Sequence, residues 1–175
     1  MYAVGRPRPN HFSHPGTLHA MPVIVIGADT TFGRAVIDAL LPRDGEVRAF
    51  VSDPDEGEAL RGRGLKVAVG DVSDGSHIGA AALRTFCAVL SLEAAIDERE
   101  RSFAGSPDAV VAAWAEGLRD AGVQRVIVLD DDRVPAAAQA IDEVVAEVAW
   151  VATAARDAAE AASEVAGLEA AERIR

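Results

Sequence analysis

Gly27, Thr30 and Gly33 stand at the spacing of a phosphate-binding turn. The apolar run PVIVI (22–26) leads into Gly27, and a helical pattern follows from residue 31. A strand that feeds a helix through such a turn aims backbone N–H groups and the positive end of the helix dipole at one point, which suits a diphosphate. In the strict form, G-x-G-x-x-G, the first glycine permits the tight turn. The second lets the phosphate approach, and the third lets helix and strand pack closely. Gly27 and Gly33 meet the first and third needs. Thr30 has a side chain where the second glycine would be: either its hydroxyl serves the phosphate or its bulk closes the site.

Other polar residues fall where an open α/β sheet takes its ligands. Asp53 lies just past the second expected strand, 20 residues beyond Gly33, where a carboxylate can bond a ribose hydroxyl. Asp71 ends the third strand in GDVSD (70–74), and Ser91 ends the fourth in CAVLSL (87–92). Turn and cap duty is open to each singly; their joint placement on one edge favours a site.

The elements that must position these groups alternate. Strands are expected at 22–26, 46–51, 65–70, 87–92 and 123–130, and helices at 31–41, 54–64, 76–86 and 107–122. Residues 93–106 read as a charged loop or irregular helix. Such alternation with short links predicts an α/β, Rossmann-like, doubly wound parallel sheet of five strands in the order 3-2-1-4-5. Three segments follow: a tail or upstream start over 1–20, a Rossmann domain over 21–134, and an alanine-rich helical segment over 135–175. In the last, Val144, Val148, Val151, Ala155, Ala158, Ala162 and Val165 form a stripe that predicts one long helix, whole or broken near Gly167. Its first half would cover the sheet, and its distal half would offer a homodimer contact.

Composition narrows the classes. Half of the 175 residues are apolar and 26% are charged, which suits a soluble globular chain. A net charge of −11 argues against nucleic acid, whose phosphates require clustered Lys and Arg. No apolar stretch approaches the roughly 18 residues of a membrane helix. The single cysteine, Cys87, cannot form an internal disulfide, in keeping with a reducing cytoplasm. His11, His14 and His19 lie in the tail, where no cysteine or carboxylate completes a metal site.

VIVIGADTTFGRAVIDALL, EVRAFVSDP and LRGRGLKVAVGDVSD, followed by AGVQRVIVL, resemble the atypical short-chain dehydrogenase/reductases, the NmrA-like NAD(P)-binding proteins in particular. Their pattern is G-A-T-G-x-x-G, then V-R-A-L-V-R-D-P, then G-V-x-V-V-x-G-D, and the likeness covers roughly 22–130. It implies an NAD(P) site built from Gly27, Ala28, Asp29, Thr30, Thr31, Phe32 and Gly33, from Ser52 and Asp53 at the end of the second strand, and from Asp71 with Val72 beside the adenine. Asp29 and Thr30 replace the family's Thr-Gly. Ser52 replaces an arginine that can contact a 2′-phosphate, so with Asp53 beside it the preference tilts toward NAD over NADP.

Catalytic groups are scarce. The superfamily's Tyr-x-x-x-Lys pair is excluded by inventory: the only tyrosine is Tyr2, in the tail, and the only lysine is Lys66, at the third strand. DDD (130–132) replaces the serines that usually end the fifth strand, as a solvated loop or as a base or cation ligand. Cys87 begins a strand without a histidine near it in sequence, and His77 has no obvious partner. No catalytic residue and no metal ligand is expected. The family's later strands and substrate region also lack a counterpart. Three readings follow: a non-catalytic or regulatory NAD(P)-binding domain, a small oxidoreductase whose pocket a partner completes, or a nucleotide-free interaction scaffold.

Overall fold

A computed structural model describes residues 21–130 and 137–174. The tail (1–20), with Tyr2 and its three histidines, and Asp131 and Asp132 lie outside the described residues. The strands are β1 (Val23–Ile26), β2 (Val47–Val51), β3 (Lys66–Val69), β4 (Cys87–Ser91), β5 (Arg125–Asp130) and β6 (Glu147–Ala152). All pairs are parallel, in the order β3-β2-β1-β4-β5-β6. The helices are α1 (Thr31–Leu40), α2 (Pro54–Gly62), α3 (Gly75–Ala82), the single turn α4 (Glu93–Ile96), α5 (Pro107–Ala121), α6 (Ala137–Asp142) and α7 (Ala158–Ala170).

The strand sequences are apolar on both faces because helices cover both. Ile24, Ile26, Phe50, Leu90, Val126 and Val128 pack with Ile78, Trp114 and Leu118 from α3 and α5. The alternate residues Val23, Val25, Ala49, Val89, Ile127 and Leu129 pack with Val36, Ile37 and Leu40 of α1 and Ala161, Ala162 and Val165 of α7. Order reverses at β1, whose neighbours are β2 and β4. That switch point is where doubly wound sheets open a crevice beyond their carboxyl ends.

The expected strand order stands, extended by a sixth strand. The single long helix is corrected: the segment after Pro135 forms α6, β6 and α7. EVAWVA carries β-branched and aromatic residues that fit a sheet, and its backbone N–H and C=O groups pair along the edge of β5. Of the stripe, only Ala158, Ala162 and Val165 share a helix, and Gly167 lies within α7 without breaking it. α7 buries its apolar face against its own α1, so its packing gives the expected homodimer contact no support.

One buried cation fastens this C-terminal part. Arg125, fully buried at the start of β5, donates from Nε to Glu147 Oε2 at 2.7 Å. Its Nη1 donates to the carbonyls of Leu168, Glu169 and Ala171 at 2.7–3.0 Å. Those oxygens belong to the C-terminal end of α7, where the helix dipole favours a cation. The guanidinium also lies 5.2 Å from the centre of the Phe86 ring. Arg125→Ala is expected to cost about 3–5 kcal/mol in urea unfolding, because it leaves a carboxylate and several carbonyls without their donor. Arg125→Lys should also destabilise, since one ammonium cannot span those acceptors. A lysine variant of wild-type stability would refute this role.

Candidate functional site

The β1–α1 turn is built around two crowded glycines. Gly27 has φ +76°, and a Cβ there would lie 2.8 Å from the Ala94 methyl. A Cβ on Gly33 would lie 2.0 Å from Gly27 O, so helix and turn meet with no room for a side chain. Thr30 differs. Its φ of −87° suits any L-residue, and it is the N-cap of α1.

Thr30 is 5% exposed, and its hydroxyl faces inward. Oγ1 donates to Gly27 O at 2.8 Å and accepts from Gly33 N at 3.0 Å. The Ser91 hydroxyl lies 2.8 Å away and donates to it, since the Thr30 proton is already engaged. Thr30 therefore closes the turn from within, and it also lines a hollow at the N-terminus of α1. Ser91, expected at the ligand edge, is fully buried as its partner.

Beyond the turn, a groove of about 580 Å³ runs past the ends of β2 and β3, lined by Asp29, Arg34, Ser52, Asp53, Gly70, Asp71, Arg99 and Ser102 among others. A second hollow of about 310 Å³ lies at the N-terminus of α1, between Thr31, Arg34, Glu93, Ile96 and Arg99. The edge thus brings together Asp29, Thr31, Ser52, Asp53 and Asp71. Ala28 and Val72 are buried within it, and the Val72 carbonyl accepts from Trp114 Nε1. Phe32 packs into the α1 side of the core. Asp53 caps α2, accepting from Asp55 N at 2.8 Å.

Carboxylates of the chain already hold the backbone donors here. Asp29 accepts from the N–H groups of Ser52 (2.8 Å) and Asp53 (3.2 Å), and pairs with Arg99 at 3.0 Å. Glu93 accepts from Phe32 N, in the first turn of α1, at 2.9 Å. Arg99 also forks onto Asp97 and donates to Ser52 Oγ at 3.2 Å. Asp71 accepts from Ser73 and from Ser102 N. Burial alone would raise the Asp97 and Asp71 carboxyls, but hydrogen bonds from Arg99 and from Ser73 and Ser102 outweigh it and hold both below the usual carboxylate range. Glu93, Asp97, Arg99 and Ser102 are absent from the sequence reading. For the last three the signal was DERERS (97–102), a run of mixed charge that follows β4 and the single turn α4 on the ligand edge.

The other candidates are structural. Cys87 is fully buried, which pushes its thiol far above its ordinary range and away from the nucleophilic thiolate. His77 stacks edge-on against Phe50 in the first turn of α3. Lys66 pairs with Glu46 on the sheet edge, remote from the groove. Among the described residues, no group of three or more His, Cys, Asp or Glu is placed to hold a metal ion, and no helix is long and apolar enough to cross a membrane.

Two outcomes are expected. Thr30→Val should cost about 1–3 kcal/mol in urea unfolding, by removing the cap and stranding the Ser91 hydroxyl, whereas Thr30→Ser should stay within about 1 kcal/mol. Asp71 and Asp97, lowered on folding, contribute stability that is full above the ordinary carboxylate value of about 4 and is lost as pH falls through their folded values. The urea midpoint should therefore drop on acidification below about pH 4, and drop less in Asp97→Asn.

No protein-family model and no curated protein matches the sequence. Solved structures do match in fold. Triphenylmethane reductase of Citrobacter sp., complexed with NADP(H), is 16% identical with a TM-score of 0.71, over 86% of this chain and 66% of that one. NmrA, a negative transcriptional regulator in complex with NADP, is 14% identical with a TM-score of 0.61, over 77% and 45%. ChuY, an anaerobilin reductase of Escherichia coli O157:H7, is 18% identical with a TM-score of 0.61, over 87% and 92%. The chain spans under two thirds of the triphenylmethane reductase and under half of NmrA. At these identities the likeness is one of architecture: the chain has the Rossmann-like fold of these reductases and of NmrA.

Proposed function

We propose that the chain is an NAD(P)-binding domain of the atypical reductase type, NmrA-like, cytoplasmic and non-catalytic or regulatory. The observation that carries this reading is the glycine-bounded β1–α1 turn, opening onto a groove that Asp53 and Asp71 line. The groove's volume is in the range of small-molecule sites. The residues fit the group: the turn from Gly27 to Gly33 would take the diphosphate, Ser52 and Asp53 the adenine ribose, and Asp71 the adenine side. A carboxylate at Asp53, with Ser52 in place of an arginine, favours NAD over a 2′-phosphorylated cofactor. NADP(H) and NADP accompany triphenylmethane reductase and NmrA, which supports a dinucleotide in this fold without choosing between the two.

The bound dinucleotide would supply hydride chemistry at its nicotinamide ring. The chain's own residues offer binding and orientation but no Tyr-Lys pair to move a proton, since Lys66 lies away from the groove. One observation favours a second reading, a small oxidoreductase: ChuY, described as a reductase, is matched over 92% of its length.

Calorimetric titration with NAD, NADH, NADP and NADPH tests the first reading. Binding is expected, tighter for the unphosphorylated pair; absence of heat with all four, at protein concentrations sensitive to micromolar affinity, would overturn it. Cofactor oxidation with quinones and aldehydes tests the second, which falls if bound NAD(P)H is never consumed.

A further inference from the structure

We infer that Glu93 is an internal competitor for the anionic part of the nucleotide, held on the N-terminus of α1 by the segment 97–103. The inference rests on the nucleotide reading and concerns what already occupies that site. Phe32 N–H belongs to the first turn of α1, whose N–H groups lack partners within the helix and face an incoming anion. Glu93 Oε2 takes this donor at 2.9 Å, so the chain's own carboxylate sits where a diphosphate oxygen would bind.

The segment that follows keeps Glu93 there through polar contacts. Arg101 donates to the carbonyls of Ala94 and Asp97 at 2.9 and 2.8 Å, fixing the end of α4. Arg99 joins Asp97 to Asp29, beside the turn. Ser102 N donates to Asp71 and Phe103 N to Ser73 Oγ, which tie the far end to the loop after β3. Phe103, the segment's one aromatic residue, is 67% exposed and adds little apolar anchorage. A strap held by charge and hydrogen bonds over a groove can exchange those partners for a ligand's at smaller cost than one held by buried apolar surface. A bound diphosphate must displace Glu93 from Phe32 N–H, and while Glu93 stays, two anions meet at one helix end.

The test is calorimetric titration of NAD and NADH into the wild type, Glu93→Ala, Glu93→Gln and Glu98→Gln. Glu98 is an exposed carboxylate of the same segment, outside the groove lining. Glu93→Ala should tighten binding about tenfold, the scale of one charge-assisted hydrogen bond and its repulsion. Glu93→Gln, which keeps an acceptor but loses the charge, should gain less, and Glu98→Gln should stay within about twofold. In amide NMR spectra, saturating ADP should bring the Phe32 resonance of the wild type and of Glu93→Ala to the same position, because the phosphate takes that donor in both, while the two free proteins differ. Wild-type binding unchanged in Glu93→Ala, or an equal gain in Glu98→Gln, overturns the inference and leaves the nucleotide reading standing. Loss of binding in every variant and the wild type overturns both.

Discussion

The contact between Gly33 and the Gly27 carbonyl sets the geometry of the whole ligand edge. With 2.0 Å available to a Cβ, α1 can start only where it does, tight against the end of β1. That approach buries Thr30 and Gly33 at the start of the helix, where N–H groups without helical partners must pair from nearby. Thr30 supplies one acceptor and Glu93 another. The threonine therefore belongs to the same constraint as the glycines. A glycine at this position would leave Gly33 N–H and the Ser91 hydroxyl without the acceptor they share.

The electrostatics of the groove follow from the same logic. Open backbone donors at a strand end and a helix start attract carboxylates, and here they come from the chain: Asp29 onto the β2–α2 link and Glu93 onto α1. Arg99 then balances Asp29 and Asp97, and Arg34 pairs across to Glu56 at 2.6 Å. The backbone donors of the groove are already satisfied in part by the chain's own carboxylates. Any dinucleotide affinity is thus a difference between two sets of similar hydrogen bonds, smaller than the donors alone suggest.

Much of this was legible in the sequence where local pattern and tertiary role coincide. Five strands announced themselves as β-branched runs between well-punctuated helices, such as α5, capped by Ser106 before Pro107 and ended by Gly122, whose φ is 75°. Gly27, Asp53 and Asp71 were found on the edge because a parallel sheet puts every strand's carboxyl end on one side. β6 was hidden. The stripe at spacings of three and four reads as helix, while the short apolar run VAWVA (148–152) within it fits a strand as well, and the choice was made by the free edge of β5. Ser91 and Thr30 were both read as ligand contacts, and neither pattern nor spacing could show that their hydroxyls face each other across 61 residues of chain. Arg125 was invisible, and Arg99 was legible only as one charge in the run DERERS (97–102), for a related reason: the worth of a cation depends on acceptors that only the fold assembles.

Arg125 shows what such an assembly implies for the ligand edge. Its guanidinium gathers Glu147 of β6 and the end of α7 at the amino side of the sheet, opposite the groove. α7 in turn packs along α1, the helix whose N-terminus forms the turn. The C-terminal segment thus meets the helix of the turn from behind. A helix held along its length against both sheet and neighbour cannot tilt to relieve crowding at its first turn. Adjustment for a ligand is then left to the Glu93 side chain and to the polar strap from Asp97 to Phe103, since Ala94 and Ala95 of α4 are themselves buried in the core. The rigid floor and the exchangeable cover are consequences of one difference: apolar burial beneath α1, polar fastening above it.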